Sequence, residues 1–267
     1  MDRTRAFIAA GGRRSRDAPK RPGGRSLSAK KNPADWTPGE RAVFASLGTP
    51  AKIQRFLNRL AYDPAPGTAS PRRVLRERKA NCFEGAMFAA AAFRFHGRPP
   101  LLVDMRSWND DDHVLAVFRQ NGAWGCVAKS NYTVLRSREP VYRTIRELMM
   151  SYFDVYFNPI GQKTLRQYSV PFDLRRFDDK NWMTTSDDVS WVGDALDRAR
   201  HYKVMTRAQV RNLRRVDPVL VKAGLLGANP SGLFKPKSFP KPSSGSTPRP
   251  GGHAFLRSTA IRSPSAG

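Results

Sequence analysis

The chain has 267 residues, 40% of them hydrophobic, with 47 Lys+Arg against 22 Asp+Glu and a formal charge of +25. That length accommodates one domain with a real core plus tails. Two cysteines, Cys82 and Cys126, are too few for a disulfide framework, and no apolar run approaches the ~18 residues of a membrane-spanning helix.

Residues 1–33 hold ten Lys/Arg and two Asp, and residues 228–267 hold six Lys/Arg and no acid, so +14 of the +25 lies in two Gly/Pro/Ser-rich ends. These ends read as disordered basic tails around a domain at 34–227. Their charge implies non-specific polyanion contact more than specific nucleic-acid recognition. A basic nucleic-acid-associated protein remains an alternative. The apolar run at 7–10 is too short for a signal-peptide core, so a cytoplasmic protein is expected. The Arg-rich, acid-poor start also resembles an organellar transit peptide.

In chain order, Thr37-Pro38-Gly39-Glu40 has the form of a capped helix start, with a short helix through Phe44. Thr49-Pro50 opens a second helix, with Ile53, Phe56, Leu57 and Leu60 at helical spacing. Ser70-Pro71 opens a third, through Arg78. A small-residue helix then begins at Cys82 behind Asn81 and stops at Gly97, with Pro99-Pro100 beyond. Strands are expected over 100–105 and 113–119. Asn121-Gly122 signals a hairpin into a third strand from Trp124 to Lys129. An amphipathic helix is expected over 141–157, a strand over 165–170, and helices over roughly 186–200 and 206–225. The order predicts an α+β fold: a central helix carrying Cys82 on a small antiparallel sheet, with extra N- and C-terminal helices.

The residues that invite chemistry are Cys82 and His113. A helix N-terminus favours a thiolate over a thiol, and an imidazole can take a thiol's proton and return it to a leaving group. Asn81 reads as the helix cap and as a candidate donor to an oxyanion. The carboxylates at 110–112 would favour a protonated His113, or form a solvated loop. Cys126 reads as core, His96 as a complement to its helix end, and Tyr152, Phe153, Tyr156 and Phe157 as core aromatics. The basic stretch 135–140, with Arg143 and Arg146, reads as a salt-bridged face or an anion clamp. No metal site or cofactor is predicted, since one His beside clustered Asp lacks ligand spacing.

The ordered set of Cys82 at a helix start, Gly97-Arg98-Pro99, a strand, His113 at the next strand start, then Gly122-Ala123-Trp124, resembles the transglutaminase-like superfamily, whose core is shared with papain-like cysteine proteases. The resemblance spans roughly residues 53–131. It implies a cysteine hydrolase or acyltransferase acting on a peptide or other amide, with Cys82 as nucleophile and His113 as base. In that family a carboxylate follows the Trp and orients the imidazole. Four residues beyond Trp124 this chain has Ala128, and the polar residues available are Lys129, Ser130 and Asn131. By analogy with the papain-like amide, Asn131 is the implied third member, with Ser130 as the alternative. A catalytically inactive binding module of the same fold is the other implication.

Overall fold

The computed structural model describes residues 34–237. The expected tail at 1–33, and all of the tail expected at 228–267 except 228–237, lie outside the described residues. The packed chain continues to Lys237, beyond the boundary expected at 227.

Three capped helices come first: α1 (Pro38–Ser46), α2 (Pro50–Asn58) and α3 (Pro71–Glu77). Thr37, Thr49 and Ser70 each accept a backbone N–H of their own first turn, and each is followed by Pro. Thr37 and Glu40 close the capping box that the sequence announces. Glu40 also takes Arg72 of α3 in an ion pair at 3.0 Å, which ties α3 to α1. Two-residue strands β1 (Ala61–Tyr62) and β2 (Lys79–Ala80) pair in parallel on either side of α3.

α4 (Cys82–Phe95) follows, then β3 (Leu101–Ser107), β4 (His113–Gln120) and β5 (Ala123–Val127). Asn121 and Gly122 both have positive φ, 49° and 82°, the form a two-residue hairpin needs. The strands pair antiparallel, Val103 opposite Leu115 and Val117 opposite Cys126.

The helix expected over 141–157 is divided. Arg138–Tyr142 is strand β6, α5 covers only Ile145–Met150, and Phe153–Val155 is a 3₁₀ turn. Thr144 is the reason: it caps α5 in a box with Glu147, so the helix starts there and the residues before it pair with β5. Next come β7 (Leu165–Ser169), β8 (Phe172–Asp173), α6 (Ser190–Asp197), β9 (His201–Lys203), α7 (Arg207–Arg211) and α8 (Pro218–Gly224). The single helix expected over 206–225 breaks before Pro218, whose N-cap is Asp217.

The main sheet has seven strands, in the order β6-β5-β4-β3-β7-β9 with β8 also on β3. Its two faces bury separate cores. Val114, Ala116, Phe118 and Leu102 lie under α4 with the N-terminal helices. Leu115, Val117, Val103 and Met105 face Tyr152, Tyr156, Phe157 and Tyr168. This is the expected α+β arrangement of a Cys82 helix on an antiparallel sheet. Among the described residues no helix is long and apolar enough to cross a membrane.

Candidate active site

Cys82 is the first residue of α4, behind Asn81. The Asn81 side chain accepts from Glu84 N–H at 3.0 Å, and the Glu84 carboxylate accepts from Asn81 N–H at 2.9 Å. The second Glu84 oxygen accepts from Ala69 N–H at 2.7 Å, so this buried carboxylate ties the start of α4 to the loop before α3. The first turn of α4 is drawn tight against the chain after β5. A Cβ on Gly85 would stand 2.3 Å from Cβ of Lys129, so only glycine allows this approach.

The Cys82 thiol reaches the start of β4. Its Sγ lies 3.8 Å from the carbonyl oxygen of Asp112, and the Val114 N–H acts on it from the other side of His113. The sulfur therefore lies beside the main chain at the start of β4. Residue 82 is half-buried. Burial pushes the thiol up to about 12, and the charge of Asp111 adds to the rise.

His113 belongs to the odd-numbered residues of β4, which face the tyrosine-rich core. Its ring is buried and meets Tyr156 edge-on, with centroids 6.4 Å apart. Nε2 is 2.9 Å from the main-chain carbonyl of Leu135. A carbonyl only accepts, so Nε2 carries the proton and Nδ1 of the neutral ring holds the free lone pair. Burial pushes this imidazole down to about 4. No hydrogen bond joins the ring to Cys82 Sγ among the described residues.

The side chains expected to orient His113 point elsewhere. Asn131 donates to the carbonyl of Asn229 at 2.9 Å and accepts its N–H at 2.8 Å. Ser130 accepts the N–H of Tyr132 at 3.0 Å. The group on Nε2 is the carbonyl of Leu135, and since every residue carries a carbonyl, no side-chain pattern could have pointed to it. Lys129, beside them, turns inward to donate to Leu60 O at 2.5 Å, and burial with the nearby Arg136 charge lowers its ammonium to about 8.

The run 110–112 is not a free loop. Asp110 accepts from the Thr164 hydroxyl at 2.7 Å, and Asp112 from Ser107 N–H at 2.6 Å. Burial raises both carboxyls to about 7, with neighbouring carboxylates adding to it. Asp111 and Asp112 still reach solvent, so the dehydration acting on them is partial. The Tyr156 hydroxyl braces the loop from below, 2.9 Å from Asp111 O and 3.2 Å from Met105 O.

Two further tyrosines complete the surroundings. Tyr62 of β1 is raised far above its ordinary value by burial and then by the Cys82 and Asp111 charges. Tyr132 is 8% exposed, and its hydroxyl is buried with no partner among the described residues. Asp110 and Asp111 act on that hydroxyl as well. A polar cavity of about 270 Å³ opens beside them, lined by Tyr62, Lys129, Asn131, Arg136 and Asn229.

The remaining candidates are structural. Cys126 is buried and its Sγ lies 2.9 Å from the Tyr152 hydroxyl. His96 contacts Phe44 O at 2.8 Å. Arg138 covers the Tyr152 ring at 3.8 Å, and Arg146 donates to Val204 O. His201 is bound into the sheet, 2.9 Å from the Asp104 carboxylate and 2.7 Å from Ala199 O. Among the described residues no three or more His, Cys, Asp or Glu are grouped to hold a metal ion. No protein-family model matches the chain, and no curated protein matches it.

Proposed function

We propose that the chain is a transglutaminase-like thiol hydrolase or acyltransferase, with Cys82 as nucleophile and His113 as general base. The observation that carries this reading is the Nε2–H···O=C bond from His113 to Leu135, which leaves Nδ1 as the proton acceptor, while Sγ lies 3.8 Å from the carbonyl oxygen of Asp112, the residue before His113. On attack at an amide or ester carbonyl, the Sγ–C bond forms and the thiol proton passes to Nδ1. The C–N or C–O bond then breaks, and the imidazolium returns that proton to the leaving group. Water attacking the resulting thioester gives hydrolysis, and an amine gives transfer. The Leu135 carbonyl takes the orienting role and contributes only a dipole, where a carboxylate would contribute a full charge.

A second reading, a catalytically silent binding module of the same fold, is favoured by one observation. Burial holds the thiol protonated and the imidazole neutral, so the resting site contains no preformed thiolate–imidazolium pair. A p-nitrophenyl ester separates the two. The enzyme reading expects acyl transfer to Cys82, found by peptide mass mapping, lost in Cys82→Ser and strongly slowed in His113→Gln. Acylation equal in the wild type and His113→Gln, or confined to other nucleophiles, leaves the binding module as the better account.

A further inference from the structure

The polar cavity of about 270 Å³ lies between the end of α2, strand β1 and the chain that follows β5. Its walls include Lys129 and Arg136 and no carboxylate. Lys129 is only 7% exposed, and one of its ammonium protons goes to Leu60 O at 2.5 Å. The other ammonium protons meet no acceptor among the described residues. Arg136 is half-buried, and its guanidinium makes no hydrogen bond or ion pair among the described residues. Burial lowers the Lys129 ammonium to about 8, and the charge of Arg136 adds to the fall.

This pairing of like charges is unlike the rest of the fold. Arg72 is matched by Glu40, Lys79 by Asp63 and Arg94 by Asp178. At the cavity two cations meet and nothing negative answers them, an arrangement that opposes folding while the cavity is empty. The neutral walls add donors. Ser130 accepts the N–H of Tyr132 at 3.0 Å, and its own hydroxyl proton is left over. The Asn58 side-chain oxygen accepts from Gln54 at 2.8 Å, which leaves its amide N–H groups free to donate. Charged and neutral groups alike therefore offer hydrogen atoms to one space, and an oxyanion is the ligand that accepts from all of them.

We infer that this cavity binds a small phosphate monoester, with Arg136 and Lys129 on the phosphate oxygens and Ser130 and Asn58 as further donors. A phosphate monoester carries about −1.5 to −2 charges near neutral pH, so it matches both cations where a carboxylate matches one. The planar guanidinium fork takes two phosphate oxygens at once, and the ammonium acts as a point charge. The volume lies just under that of sites for drug-sized ligands, so the phosphate carries only a small organic group. This binding stands apart from the thiol chemistry proposed for Cys82 and needs none of it.

Calorimetric titration of the full-length chain with phenyl phosphate tests the site. Saturable binding is expected, weakened about tenfold or more in Arg136→Gln by loss of the charge-assisted bonds. Arg143→Gln removes the same charge from an exposed residue outside the cavity and is expected to leave the affinity as it is. Asn58→Asp keeps an acceptor for Gln54 and sets a carboxylate at the cavity, so it is expected to weaken binding too. That variant alters an exposed position and carries the test even where Arg136→Gln fails to fold. Absence of saturable binding overturns the site, and so does an affinity unchanged in Asn58→Asp. Equal weakening by Arg136→Gln and Arg143→Gln also overturns it, because the affinity then belongs to the overall charge of +25. Benzoate bound as tightly as phenyl phosphate overturns the choice of a phosphate.

Discussion

Beneath α4 the sheet is covered by Ala86, Ala89, Ala90 and Phe93, side chains with no polar atom. The opposite face is covered by Tyr152, Tyr156 and Tyr168, and the first two use their hydroxyls to hold main-chain carbonyls of Arg136, Met105 and Asp111. The first face is filled by shape alone, which lets the helix approach closely. The second fixes loops by directed bonds. Cys82 comes to the start of β4 with the first face, and His113 is anchored in the second. The candidate site lies where the two meet, so helix packing sets the nucleophile's position while the tyrosine face sets the base and the loop beside it.

That division can be broken from either side. Phe88, on α4 itself, is fully buried and stacks on Phe44 of α1 and Phe56 of α2. Phe88→Ala should lower folding stability by about 3–5 kcal/mol in chemical denaturation, the usual cost of such a cavity. A loss under about 1 kcal/mol would mean that the packing of α4 against the N-terminal helices does not carry the core.

His113 gives the next largest effect, expressed in pH. Its folded value, about 4, lies below the ordinary 6.5, so the unfolded chain binds the extra proton between those values. Its contribution to stability is present above pH 6.5 and is lost as pH falls toward 4, by at most about 3 kcal/mol. Asp110 and Asp112, raised to about 7, act with the opposite sign: stability they lend at low pH is lost as pH rises through 7. The stability difference between the wild type and His113→Gln should therefore shrink on acidification from pH 6.5 to 4. A difference that stays flat would show that the ring is solvated and that the second face does not hold it.

Cys82 offers a finer probe. With the thiol pushed up to about 12 from 9.0, its alkylation by iodoacetamide at pH 8 should be on the order of 10³-fold slower than that of a free thiol. A rate within about tenfold of free cysteine would show that the alanine face leaves the sulfur hydrated.

The parts legible in the sequence are those with local causes. Thr37, Thr49, Ser70 and Asn81 name their own helix starts because a cap acts within three residues. Asn121-Gly122 fixes its hairpin by backbone conformation alone. Long-range causes are not legible in this way. Strand β6 is created by pairing with β5, although its residues also continue a helical apolar period into α5. The expectation of a side chain on His113 misses Leu135, because the group that reaches Nε2 is a main-chain oxygen brought there by a 3₁₀ turn at Thr133–Leu135. The turn from Asn229 to Lys237 back onto Asn131 and Asn109 is hidden for the same reason. Its composition is that of a tail, and the two asparagines that bind its main chain lie about a hundred residues earlier or more.

The smallest predicted change discriminates best between the faces. Tyr156→Phe keeps the ring against His113 and removes only the hydroxyl that reaches Asp111 O and Met105 O. One directed bond of this kind contributes about 0.5–1.5 kcal/mol, so denaturation should shift by no more than that. The local effect should exceed the global one. Asp112 O, 3.8 Å from Cys82 Sγ, sits one residue beyond Asp111, so the loop that loses its brace is the loop that contacts the thiol. Faster alkylation of Cys82 with buried Cys126 still unreactive would show that the tyrosine face governs access to a nucleophile the other face delivers. Equal rates in Tyr156→Phe and the wild type would assign that control to α4 alone.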